Sequence, residues 1–348
     1  MNISNKENGY TLLIVMWGLV VLTIIFVSLL DEAFLETMIT RNVMDDEEIN
    51  QTARSGLIHG IDVLKSDDIN DEGRFDVPED EWAEEITGEL NGVEYTVNIK
   101  DAGSKLNFNY TPESIIYELD WFEEELMEEF PEDYLIADLV LVKDIFGDNF
   151  ENAREIFTVN NKFNVNTDRP ESLEIIMEME NLSHADSERI LNFVEELQEE
   201  GRIIESMDEL RNELQKHIRP SVYEQIEPYF TAEGSLNINF VEESVLEPLL
   251  SSVNEDHWED YLDNILTYRE EEGIKNLDVM EELIPDNEDR SKLIPYFTVK
   301  SNLFLIEVEV FHQLQEREDT LKVLVEREFV EEFGVEEEYQ VRIIKWDV

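Results

Sequence analysis

The sequence predicts an α+β protein: a long N-terminal transmembrane and amphipathic helix, then an antiparallel sheet interrupted by a large inserted all-helical domain. Three observations predict it. An uncharged apolar run, Tyr10–Leu30, opens the chain. Strand-like stretches occur near residue 95 and again after residue 300. The long segment between them is a succession of short amphipathic stretches, such as 173–179, 187–197 and 203–214.

The first element is the clearest. Tyr10–Leu30 is 21 residues without a charged side chain. As a helix it is about 30 Å long, the thickness of a bilayer core. A secretory signal peptide has a shorter apolar core followed by a small-x-small cleavage site, and none follows Leu30. The preceding MNISNKENG carries one Lys and one Glu, a weak positive-inside signal. Charge returns at Asp31 and Glu32, but no proline interrupts 31–65 and the first glycine there is Gly56. Phe34, Met38, Ile49, Ala53, Leu57, Ile61 and Leu64 recur near helical spacing, so the helix is expected to continue and to lie against a folded domain.

The residues Gly9-Tyr10-Thr11-Leu12-Leu13 resemble the prepilin peptidase site of type IV pilins and pseudopilins. That resemblance implies cleavage after Gly9, methylation of Tyr10 as the new N-terminus, and a pilin-like sheet domain. Most of the family has, at the position of Ile14, a Glu that pairs with the terminal amine of a neighbouring subunit; Ile14 cannot make that pair. Among pseudopilins, lack of this Glu marks the K-type minor subunit of type II secretion systems, which caps the tip. The stretch 39–65, with Arg41-Asn42 and the small residues Ala53, Ser55 and Gly56, also resembles the K-type helix. The resemblance implies a structural part for protein export, not an enzyme. It would be a single-pass inner-membrane protein with its large C-terminal domain on the extracytoplasmic side. Its partners would be prepilin peptidase, the I and J types of minor pseudopilin, and the pseudopilus. A minor pilin of a type IV pilus or competence system, or a membrane-anchored extracytoplasmic binding domain, are the alternatives.

The expected organisation is a leader at 1–9, a membrane helix at 10–30 and its amphipathic continuation at 31–65. A pilin-like α/β domain follows at 66–110 and 296–348, with the helical domain inserted at 111–295. The stretch 92–100 alternates apolar and polar residues, as a half-buried strand does. The string KLNFNYTPESI (105–115) then recurs as KFNVNTDRPESL (162–173) and SLNINFVEESVL (235–246). Each has Asn-apolar-Asn and a Glu-Ser pair ahead of a helical pattern. Phe157-Thr158 and Phe230-Thr231 precede the later two copies, and Phe297-Thr298 precedes the last strands. The uneven spacing argues for a duplicated helical module rather than a solenoid. The Asn pairs are expected to serve turn amides, with cap residues and proline starting the helices. The helical pattern resembles the helical domain of the K-type family, which contains helix-hairpin-helix-like units; the Gly-rich hairpin and basic residues with which such units bind DNA in other proteins are absent from this sequence. The segments 301–310, 320–328 and 338–346 are rich in Val, Ile, Leu and Phe and complete the sheet.

Composition excludes several functions. With 85 acidic against 26 basic residues, the net charge is −59, which argues against nucleic acid as a partner. The acidity is spread along the chain, as in a solvated surface working in high salt. With 42% hydrophobic residues, 18 Phe and 11 Tyr, a core is affordable and disorder is not expected. Cysteine is absent, which removes disulfides and thiol chemistry. His59, His184, His217, His257 and His312 form no metalloprotease motif, and no catalytic carboxylate pair stands out among so many. One acidic string, Asp68, Asn70, Glu72 and Gly73 with a distal Glu79, imitates a calcium loop in outline, although Pro78 spoils its end. Calcium is otherwise implied only by the resemblance to the K-type family.

Overall fold

The computed structural model describes residues 4–67, 75–122, 124–127, 130, 135–271, 273–312, 317–330 and 338–346. The chain falls into two compact units. One comprises 1–58, 87–96 and 308–320; the other comprises 59–86, 97–307 and 321–348.

Helix α1 runs without a break from Ser4 to Ser66. Its buried face consists of Ile49, Thr52, Ala53, Gly56, Leu57, Gly60, Val63 and Leu64, the i, i+3, i+4 spacing of a packed helix. Phe34 and Met38 do not belong to that face, contrary to the pattern expected from the sequence: they are 66% and 49% exposed. Burial begins about three helical turns later, at Ile49. In the second unit, Gly60 permits close approach. A Cβ there would lie 3.1 Å from Val97 Cγ1 and 3.3 Å from Ile306 Cγ2.

Strand β1 (Ile86–Leu90) turns into β2 (Val93–Asp101) through Asn91 and Gly92, whose φ values of 53° and 85° are those of a hairpin turn with two left-handed residues. Val93, Tyr95, Val97 and Ile99 of β2 are buried in alternation.

Three helical modules follow, each closed on itself by a pair of two-residue parallel strands. In the first, β3 (Leu106–Asn107) pairs with β4 (Phe157–Thr158). In the second, β5 (Phe163–Asn164) pairs with β6 (Phe230–Thr231). In the third, β7 (Leu236–Asn237) pairs with β8 (Phe297–Thr298). Each Phe-Thr therefore closes the module opened by the preceding Asn-x-Asn, rather than introducing the next one. Among the described residues each module holds four α-helices. They are Glu113–Ile116, Glu124–Met127, Lys143–Phe146 and Phe150–Ile156 in the first. The second has Ser172–Met179, His184–Glu199, Met207–Leu214 and Pro220–Ile226, and the third has Glu243–Val253, Trp258–Glu271, Met280–Leu283 and Asn287–Leu293.

The asparagines are the latches of these modules. The first of each pair accepts the amide of the second: Asn107, Asn164 and Asn237 Oδ1 take the N–H groups of Asn109, Asn166 and Asn239 at 3.0, 3.0 and 3.1 Å. The second reaches across the module and pairs with both backbone groups of one isoleucine. Asn109 takes Ile136, Asn166 takes Ile204, and Asn239 takes Ile274, each through an Oδ1 acceptor and an Nδ2 donor at 2.7–3.0 Å. Two residues beyond each isoleucine, Asp138, Ser206 or Asn276 caps the next helix. The first and third modules share one apolar core, in which Leu106, Phe157, Leu246, Ile265 and Phe297 meet. The second encloses its own around Phe163, Ile176, Val194 and Tyr223.

The chain returns in β9 (Leu303–His312), β10 (Arg317–Val330) and β11 (Glu338–Trp346), and the sheet order is β1-β2-β9-β10-β11. The last residues of β2 lie beside the first of β9, where the Ala102 N–H donates to the Leu303 carbonyl at 2.8 Å. The modules are thus an excursion between two neighbouring antiparallel strands. β10 and β11 are antiparallel, with an irregularity between Leu324 and Val325. The fold is the expected one: a long helix, an antiparallel sheet and a helical insertion.

Candidate functional site

Three features could carry function: the apolar helix, a buried charge cluster, and a cleft. Residues 13–30 of α1 are exposed along every face, Ile14 by 68% and Trp17 by 65%. The helix is long and apolar enough to cross a membrane. The exposure continues beyond that length. Phe34, Leu35, Met38, Ile39 and Val43 form an apolar stripe at i, i+4 spacing that is 49–66% exposed. Contiguous exposed apolar surface of this kind marks contact sites. Gly9 and Tyr10 lie in the opening turns of α1; their side chains are outside the described residues.

Of the calcium-like string, Asp68, Asn70, Glu72 and Gly73 also lie outside the described residues. Glu79 is exposed, in the turn after Pro78. The described carboxylates nearby are Asp67, Asp76 and Asp80, whose oxygens come within 4.8 Å of one another. Their cation is Arg327. It donates to Asp67 Oδ2 at 2.5 Å, to Asp76 Oδ1, and to the Ser301 carbonyl at 3.0 Å. The guanidinium carbon lies 4.7 Å from the centre of the Phe304 ring and 4.4 Å from that of Tyr339. Arg327 and Asp76 are each 2% exposed. Burial pushes the Asp67 carboxyl up to about 6, against the pull of Arg327, and Asp76's charge adds to the rise. Burial likewise raises Asp80, against the N–H of Val77 that it accepts. With two of its three carboxylates engaged by Arg327, this cluster is furnished as an ion-pair joint and does not fit a calcium cage.

The joint ties the sheet to the third module. Asp76 Oδ2 accepts the Ser301 N–H at 2.6 Å, and its carbonyl accepts from Asn239 Nδ2 at 2.9 Å. Asp101, at the end of β2, accepts from the hydroxyls of Ser104 and Ser301, and Ser301 in turn accepts from Asn237 Nδ2 at 2.9 Å. Burial raises the Asp101 carboxyl, although four donors from Ser301, Ser104 and Gly103 oppose the shift. Sequence reasoning missed this group. The available signal was Arg327 itself, an arginine beside Val325 on the buried side of a hydrophobic strand.

A cleft of about 820 Å³ lies in the second unit, lined by Trp82, Lys100, Lys105, Val140, Arg154 and Phe240 among others. Its basic groups are occupied: Lys100 with Glu307 at 3.3 Å, Lys105 with the Arg154 carbonyl at 2.6 Å, and Lys345 with Asp138. Burial lowers Lys105, with the neighbouring Arg154 acting in the same direction. One hydroxyl of the lining, that of Ser104, donates to the Asp101 carboxylate at 2.8 Å as part of the joint just described. The histidines stay apart, with His217 against Phe193 and His257 near Asp260; His312 faces Glu48.

No protein-family model and no curated protein matches the chain. Among solved structures it is similar to a chain of the GspK-GspI-GspJ complex of the type 2 secretion system of enterotoxigenic Escherichia coli. The identity is 16%, over 83% of this chain and 94% of that chain, and the TM-score is 0.40. At that identity and TM-score the likeness assigns no role to any residue.

Proposed function

We propose that this chain is a K-type minor pseudopilin of a type II secretion system, a structural rather than a catalytic part. The observation that carries the proposal is the apolar stripe Phe34–Leu35–Met38–Ile39–Val43, which prolongs the exposed apolar surface of α1 past one bilayer thickness. A lone membrane anchor needs no such extension. A helix that packs sideways against other helices in a filament does. In this reading prepilin peptidase removes residues 1–9, Tyr10 becomes the methylated N-terminus, and residues 10–30 hold the protein in the inner membrane before assembly.

The uncharged Ile14 gives no partner to the terminal amine of another subunit, which suits a first subunit rather than a repeated one. A head enlarged by three helical modules fits only where no subunit is stacked beyond it, at the tip. The partners are the I- and J-type minor pseudopilins. Calcium at the 68–79 loop is part of the same proposal, and calorimetry on the full chain with Ca2+ at low salt tests it; absence of binding heat removes it.

The chain has no cysteine, so a single introduced one reports contacts without background. Met38→Cys is expected to cross-link to a cysteine on the helix of another minor pseudopilin in membranes, and the mature protein to lack its first nine residues by mass. An uncut N-terminus together with no cross-link from 34, 38 or 43 overturns the reading.

A further inference from the structure

Asp45 and Glu48 stand one turn apart on α1, and His312 is the last residue of β9. Each offers one ligand atom, and the three atoms lie within 4.8 Å of one another. All three belong to the first unit. His312 continues the buried alternation of Ile306, Val308 and Val310, so an imidazole occupies a place where the strand otherwise puts aliphatic groups. It is only 6% exposed. Its Nδ1 has no hydrogen-bond partner, and its Nε2 faces Glu48 Oε2 at 3.8 Å, beyond hydrogen-bonding distance. A buried imidazole nitrogen without a hydrogen bond is costly and needs a reason.

We propose that Asp45, Glu48 and His312 bind a divalent transition-metal ion of the Zn2+ type. One imidazole and two carboxylates supply three ligands, and their two negative charges match the ion. The nitrogen donor sets the class: Ca2+ and Mg2+ take oxygen ligands, whereas imidazole suits Zn2+. Water completes a tetrahedron. His312 binds as the neutral ring, through the nitrogen that carries no proton. Two cations flank the site from outside: Arg41 lies 3.9 Å from Asp45, and Arg317 pairs with Asp46. The ion fastens α1 to the end of β9 directly after the apolar stripe. It would thereby fix the direction in which the anchor leaves the sheet strand.

Zinc titration calorimetry on the chelator-treated full chain in detergent micelles tests this, with millimolar Mg2+ present to occupy generic carboxylates. One Zn2+ per chain is expected, and His312→Leu and Glu48→Gln should each weaken it by about tenfold or more. Co2+ should give a visible absorption band that His312→Leu abolishes. Glu48 is half exposed, so Glu48→Gln leaves a folded variant even if His312→Leu does not. The proposal is overturned if no stoichiometric site is found, if Glu48→Gln binds as the parent does, or if Ca2+ displaces Zn2+ at equal concentration.

Discussion

Asn239 and Ile274 form a two-point amide pair inside the third module: the Ile274 N–H donates to Asn239 Oδ1 at 2.7 Å, and the Ile274 carbonyl accepts from Asn239 Nδ2 at 2.8 Å. The same Nδ2 donates to the Asp76 carbonyl at 2.9 Å. One side chain thereby ties a helix–helix connection of the module to the segment that carries the Arg327 joint.

Asn239→Asp keeps the shape and the acceptor but turns the donor into a carboxylate oxygen facing two carbonyls. Each buried group left unpaired costs about 1–3 kcal/mol. The variant should therefore lose roughly 3 kcal/mol or more at pH 8. The equivalent Asn109→Asp should lose less, because Asn109 is only half-buried whereas Asn239 is 4% exposed. Denaturant titration of the full chain in micelles measures both; equal losses would contradict the argument.

Arg327→Met strands Asp76 and Asp67. Removing one partner of a buried pair costs about 3–5 kcal/mol, whereas neutralising both ends costs much less. Asp76→Asn can still accept the Ser301 N–H now held by Asp76 Oδ2. The double variant Asp76→Asn with Arg327→Met is thus expected to be more stable than Arg327→Met alone. Melting temperatures of the two single variants and the double give the coupling directly.

The sequence displayed one half of the asparagine relationships and neither half of the Arg327 joint. Asn109, Asn166 and Asn239 stood out because the motif repeats, and β2 because its apolar residues alternate. The partners Ile136, Ile204 and Ile274 did not, since they lie 27, 38 and 35 residues downstream, at no fixed interval. The closing Phe-Thr strands are two residues long and have no periodicity to detect. Arg327 passed unnoticed in a strand read only for its apolar residues, and its carboxylates lie 260 and 251 residues away. Among 85 acidic residues nothing local marked Asp67 and Asp76 as its partners. The break in burial between Met38 and Ile49 was equally hidden, because an apolar stripe awaiting another molecule has the same spacing as one packed on its own domain.

Asp168 makes the second module sensitive to pH. Its carboxylate accepts the Asn164 N–H at 2.6 Å beside the second latch, and burial pushes it from 3.8 up to about 7. The folded form therefore holds a proton that the unfolded chain has released between about pH 4 and 7. The stabilisation is complete below the unfolded value and is lost as pH rises through 7. A shift of that size corresponds to a few kcal/mol at about 1.4 kcal/mol per pH unit. Asp168→Asn keeps an acceptor and does not titrate. Its melting temperature should match or fall below that of the parent at pH 5 and exceed it at pH 8. A difference independent of pH would refute the assignment.

The last prediction concerns how many charges the membrane helix tolerates. Residues 10–30 contain 14 Leu, Ile, Val or Phe residues. At about 0.3–0.6 kcal/mol each they favour insertion by roughly 4–8 kcal/mol. A lysine near the centre costs about 2.5–3.5 kcal/mol. Val20→Lys alone should therefore leave the chain in the membrane fraction. Val20→Lys combined with Ile24→Lys, on the same face one turn apart, brings the sum near or past zero and should release a large share of it. Alkaline carbonate extraction reads both variants. If the double variant stays fully membrane-bound, hydrophobic transfer of 10–30 is not what anchors the protein; if Val20→Lys alone is released, the apolar surface is serving contacts within a folded assembly rather than a bilayer.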